Sequence, residues 1–161
     1  MKTHMQYTLD GMETEFRGKS WNGLSLLATF DKLTASEAAD TRTWEGYSAW
    51  EIALHCAKCK RIVAHDLAAQ VPPWPFSEGW FPSPAVVSEE AWARDRALLV
   101  ACHEAMMEAL RAFPESRLGD EMPTWKSSWG TVLAWFASHD SFHGAQVRSM
   151  GLPSLKAKKH E

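Results

Sequence analysis

Hydrophobic positions recur along this chain at spacings of three, four and seven, and no useful stretch alternates with period two. That pattern predicts helices and no strand. The first helix is predicted over roughly Glu13 to Lys32, with Phe16, Trp21, Leu24, Leu27 and Phe30 as its apolar members and Gly18 and Gly23 as weak points within it. The second opens on Ser48, with Glu51 three residues later in the form of a capping box, and runs to about Ala69 before Val71-Pro72-Pro73. The third follows Ser88 from Glu89 to Phe113, carries Trp92, Leu99, Cys102, Met106, Leu110 and Phe113 on one face, and stops at Pro114. The fourth starts near Ser127 or Ser128 and ends at Met150, with Gly151 as its cap and Pro153 beyond. Its span from Trp129 to Met150 is about 33 Å at 1.5 Å per residue.

Four amphipathic stretches without a strand predict an all-α fold, a four-helix bundle with long connecting loops. At 161 residues the chain has room for one core, so residues 1–161 are expected to form a single domain. The connection from Gln70 to Val87 holds Pro72, Pro73, Trp74, Phe76, Trp80 and Phe81 among its residues. A loop of that length and aromatic content is expected to fold over either the end of the bundle or a binding site.

Composition narrows the partners. Apolar residues make up 45% of the chain and charged residues 23%, which suits a globular protein. The formal net charge is −3, and the one compact basic cluster is Lys156, Lys158 and Lys159, so a nucleic-acid partner held by phosphate contacts is not expected. The best apolar stretch, Ser127 to Ser138, is too short to cross a bilayer, and no membrane association is expected. Met1 to Phe16 carries Lys2, Asp10, Glu13 and Glu15 without an apolar run of the secretory type, and the three cysteines form no closed set of pairs. Both features lead to an expected cytoplasmic location. Nine tryptophans point to a lined cavity without identifying its ligand.

The chemistry concentrates in Trp135 to Gln146. His139 and His143 stand at i and i+4, which puts both imidazoles on one side of a helix, near enough to share a metal ion. They fall on the stripe Val132, Phe136, His139, His143, Val147 and Met150, and two imidazoles in an apolar interior need a partner for their nitrogens. For a third ligand, His55 lies on the stripe Ile52, His55, Cys59, Ile62, and His103 on the third helix is its rival. His65 and His160 sit in polar contexts, and His4 cannot be placed. Cys56 and Cys59 form a lone CxxC, read as core or near-site residues, with a closed site of Cys59, His139 and His143 as the other reading. His139-Asp-Ser-Phe-His143 differs from the zincin HExxH by its Asp and by the short chain that follows, so a metallopeptidase is not expected. Asp140 is turned about 100° from His139 around the helix and is read either as an acceptor for an imidazole N–H, that of His55, or as an exposed or interhelical ion pair. Gln146 points back toward the site and is expected to hydrogen-bond a ligand or a metal-bound water.

Ser48-Ala-Trp-Glu-Ile-Ala-Leu-His55 is similar to the "WS-x-x-E-x-x-x-H" entry to the second helix of the DinB/YfiT-like superfamily of bacterial metal-binding proteins. His139-Asp-Ser-Phe-His143-Gly-Ala-Gln146-Val147 resembles its "HDxxHxGQI" segment. Tyr47 stands where the family has Trp, and Gly144-Ala145 replaces a variable residue followed by Gly. The resemblance implies a divalent metal, Zn, Ni or Fe, held by His55, His139 and His143. It also implies a homodimer and a small-molecule substrate, with a low-molecular-weight thiol as the second cofactor in members that are thiol S-transferases or a thiol-dependent isomerase. Three imidazoles leave a coordination position open, the pattern of a catalytic rather than a structural site. A metal-dependent transferase or hydrolase is therefore the expected function, and a non-catalytic metal-binding stress or interaction protein is the alternative.

Overall fold

Six α-helices and no strand are present among the residues that the computed structural model describes, 1–43 and 46–156. They are α1 (His4–Arg17), α2 (Leu26–Phe30), α3 (Ala35–Ala38), α4 (Ala49–Asp66), α5 (Glu89–Ala112) and α6 (Trp129–Arg148). Trp44, Glu45, His160 and the basic residues Lys158 and Lys159 lie outside the described set. No described helix is long and apolar enough to cross a membrane.

Serines start the three longest helices. The Ser48 hydroxyl accepts from the Glu51 N–H while the Glu51 carboxylate accepts from the Ser48 N–H, the reciprocal pair expected for α4. Ser88 and Ser128 cap α5 and α6 through the N–H groups of Ala91 and Thr131. At its C-terminal end α4 stops at Asp66, three residues short of the expected Ala69, as Ala68 turns to a positive φ of 59°.

The first helix departs from expectation. Instead of running from Glu13 to Lys32, α1 starts nine residues earlier, at His4, on a capping box between Thr3 and Gln6, and buries Met5, Leu9, Met12 and Phe16. It ends at Gly18. A Cβ there would lie 2.8 Å from the Thr14 backbone. The chain then turns through Gly23, at φ 114°, before Ser25 caps the short α2. Trp21, expected on the buried face, is fully exposed in that turn, while Leu26 and Phe30 reach the core from α2.

Apolar packing falls into two clusters. One gathers Phe16, Phe30, Trp50, Trp92, Cys56 and Leu99; the other gathers Met12, Cys59, Val63, Met106, Trp129 and Phe136. Trp50 and Trp92 satisfy their indole N–H groups on Asp95 Oδ2 at 3.0 Å and the Leu33 carbonyl at 3.1 Å. A polar belt separates the clusters and takes one residue from each long helix: Glu13, Lys60, His103 and Asp140. Lys60, 1% exposed, pairs with Asp140 at 2.7 Å, and its ammonium lies over the Phe16 ring of one cluster and the Phe136 ring of the other. His103 stacks on Phe16 at 3.7 Å and donates from Nε2 to Glu13 at 2.9 Å.

Candidate metal centre

Three imidazoles meet beside this belt. His55 projects from the second turn of α4, while His139 and His143 project from consecutive turns of α6. One ring nitrogen of each lies within 4.8 Å of the others, a set that a single metal ion can span. The ring centroids are 4.5 Å apart for His139 and His143, 4.9 Å for His55 and His143, and 5.5 Å for His55 and His139.

Hydrogen bonds at Nδ1 orient the rings. His55 Nδ1 donates to the Trp80 carbonyl at 2.9 Å, and His143 Nδ1 donates to Gln146 Oε1 at 2.8 Å. Each bond selects the tautomer whose Nε2 carries a lone pair, the form that binds a metal. His139 Nδ1 stands 3.8 Å from Asp140 Oδ1, and both atoms are buried without a hydrogen-bond partner. A small ring rotation would join them and leave His139 Nε2 for an ion in the same way. The donor set thus fits a divalent cation: three imidazoles, each with a carbonyl or carboxylate beside its distal nitrogen.

Electrostatics favour the neutral, ligating form. Burial pushes His55 below the ordinary histidine range, with His139 and Lys58 adding to the effect. Burial, then the charge of His139, brings His143 down to about 4 despite its bond to Gln146. Burial opposes ionisation of Asp140, yet the Lys60 ammonium and His139 outweigh it and hold the carboxyl at about 2.

The expected partners of these residues are partly revised. Asp140 serves as an interhelical ion pair with Lys60 and faces His139, not His55. It sits at the centre of the buried stripe of α6, between Phe136 and His143, and His139 is left at the rim with 20% exposure. Gln146 spends its carbonyl on the His143 ring. His103 is fully buried and bound to Glu13, so it joins the belt and not the three-histidine set.

Of the cysteines, Cys59 lies 3.7 Å from His55 Nε2. The second metal-capable set among the described residues contains Cys56 with His139 and Asp140, and no set of Cys59, His139 and His143 forms. Burial pushes the Cys59 and Cys102 thiols up to about 12 and Cys56 well above its ordinary value, which leaves them as thiols at neutral pH.

The long loop covers one side of the set. Phe81 stacks on His55 at 4.3 Å, and Tyr47 stacks on Phe81 at 4.2 Å. Lys58 donates to the Gly79 carbonyl at 2.6 Å and Ser83 donates to Glu51 at 2.6 Å, so the loop is tied to α4 on both sides of Trp80. Trp74, Phe76 and Phe81 also pack on the nearby core, so the loop seals the core and borders the site together. The signals for Lys60 and Asp140 are visible in retrospect. Each is a charged residue of opposite sign on an otherwise apolar stripe, Cys56-Lys60-Val63 and Phe136-Asp140-Val147.

Comparison with protein families supplies the remaining constraint. The DinB superfamily matches residues 23–147, which include all three histidines, Lys60, Asp140 and Gln146. The chain belongs to that superfamily. Comparisons with curated proteins and with solved structures gave no match.

Proposed function

We propose that this chain is a metal-dependent enzyme of the DinB type, a thiol S-transferase-like transferase or a hydrolase acting on a small molecule, with His55, His139 and His143 holding one divalent ion. The observation that carries this reading is the convergence of three imidazoles, with the Trp80 carbonyl, Gln146 and Asp140 beside their Nδ1 atoms. A divalent ion held by three imidazoles supplies a Lewis acid with an open position, at which a thiol or water becomes a nucleophile near neutral pH. The residues do the rest. Trp80 and Gln146 fix two tautomers, Asp140, anchored by Lys60, stands 3.8 Å behind the third ring, and Phe81 closes one side against water. We read α1, α4, α5 and α6 as the four members of a bundle, in which α4 packs along α5 and α1 along α6.

Elemental analysis of the chain, purified without a metal-affinity step, tests the site. One ion per chain is expected, lost in His139→Ala and His143→Ala with helix content kept. Full occupancy in both variants would reject the site. Metal-dependent joining of a low-molecular-weight thiol to an electrophile, absent after chelation and restored by the ion, is the expected activity. An ion held at full occupancy with no such transfer and no hydrolysis would leave a binding protein.

A further inference from the structure

Two exposed aromatic rings stand against the three-histidine set. Trp80 is 51% exposed and Phe142 63% exposed, and each touches a different imidazole of the set: Trp80 against His55 at 6.4 Å, Phe142 against His143 at 5.0 Å. His55 and His143 are themselves 4.9 Å apart, so the two exposed rings flank one pair of imidazoles. Neither is loose. Phe142 is held in mid-helix, one residue before His143. Trp80 is fixed by its carbonyl on His55 and by Lys58, whose ammonium lies 5.6 Å from the indole centre while bonding the adjacent Gly79 carbonyl. Large aromatic faces kept in water at such a rigid rim are what a flat apolar ligand needs.

Charge supplies the other half. Three imidazole ligands bring no negative charge to a divalent ion; Asp140 is matched by Lys60, and Glu51, turned to Ser48 and Ser83, is not in the three-histidine set. Lys58 adds a positive group beside Trp80. With a divalent ion held by the three histidines, the site would be cationic at its centre and aromatic at its edge.

We propose that the site takes an organic anion with a flat, aromatic body, its anionic group toward His55, His139 and His143 and its ring between Trp80 and Phe142. This rests on the metal-site reading above and adds the chemical class of the ligand. Ring contacts of this kind are worth roughly two- to tenfold in affinity each.

The test is calorimetric titration of the zinc-loaded chain with 2-naphthoate and with acetate, after the zinc stoichiometry has been measured. At one zinc per chain, 2-naphthoate is expected to bind at least tenfold more tightly than acetate. Phe142→Ala should weaken 2-naphthoate roughly two- to tenfold while zinc content and acetate affinity stay unchanged, and Trp80→Ala, compared at matched zinc occupancy because its carbonyl orients His55, should weaken 2-naphthoate relative to acetate by a similar factor. Trp21→Ala, in the exposed turn after α1, should change nothing. Equal affinities for the two anions, or equal weakening of both in the variants, would overturn the proposal with the metal site intact. So would loss of a dimer in Trp80→Ala or Phe142→Ala on size-exclusion chromatography, since the rings would then belong to an interface. Zinc-independent binding of 2-naphthoate would overturn the placement of its anionic group at the histidines. A chain that takes up no zinc would instead reject the metal-site reading on which the proposal stands.

Discussion

Lys60 and Asp140 show how much a single buried pair governs here. Both are nearly inaccessible, at 1% and 3% exposure, so each needs the other to offset the loss of water. Replacing Asp140 with Leu leaves an unpaired buried ammonium and is expected to cost about 3–5 kcal/mol in urea unfolding of the metal-free chain. Adding Lys60→Met should recover a large part of that loss, since two apolar side chains of similar volume then fill the gap between Phe16 and Phe136. No recovery in the double variant would mean that the two side chains stabilise the fold separately. The Gln146 carbonyl has a different task, holding the His143 ring. Gln146→Leu is expected to weaken zinc binding about 10- to 100-fold with helix content intact, measured by competition with a chromophoric chelator.

At the scale of elements, the caps explain which helices could be read from sequence. Ser48, Ser88 and Ser128 each precede an apolar stripe, and α4, α5 and α6 start where those serines predict. The first helix misled because Trp21, Leu24, Leu27 and Phe30 have helical spacing although a turn carries the first two. Thr3 and Gln6 offered the right signal, a capping box followed by Met5, Leu9, Met12 and Phe16. The three histidines were legible for a similar reason, lying on or beside predicted stripes. Of the residues beside them, Asp140 and Gln146 were read on the same helix, but Lys60 and Trp80 were not, because Lys60 is 80 residues from Asp140 and the Trp80 carbonyl belongs to a loop with no periodicity.

The contact of α1 with α5 carries a pH dependence. Burial, reinforced by the Lys60 charge, brings His103 down to about 4 although Glu13 accepts its N–H. The folded chain keeps this ring neutral down to that value, whereas the unfolded chain protonates it near 6.5. Between these limits the unfolded state holds more protons, so stability rises with pH and is lost as acid is added. The contribution across the window is at most about 3 kcal/mol. His103→Gln should therefore show a shallower fall in urea midpoint between pH 6.5 and 4 than the parent chain. His55 and His143 shift in the same direction but act in both proteins, so parallel curves would exclude the role given to His103.

For the whole molecule, an ion bound at the rim of the belt links α4 to α6 and should add to stability by mass action. Zinc at one hundred times its Kd is expected to raise the unfolding free energy by about 2.7 kcal/mol. The gain should vanish in His139→Ala; an equal gain there would place the ion elsewhere. The 830 Å³ groove lined by Ala105, Glu108, Phe113, Arg117 and Trp129 holds none of the three histidines and lies toward the other end of α6. From Trp129 to His143 the separation along the helix is about 21 Å.

The charged belt also fixes alignment along the helix axes. If any long helix slid by one turn, about 5.4 Å, a lysine, aspartate or histidine would be pressed against hydrocarbon. The imidazoles of α4 and α6 inherit their height from that lock, set by neighbours on the same two helices. That makes the belt, with the two helices that carry the imidazoles, the portable unit for rebuilding such a cluster on another helical frame.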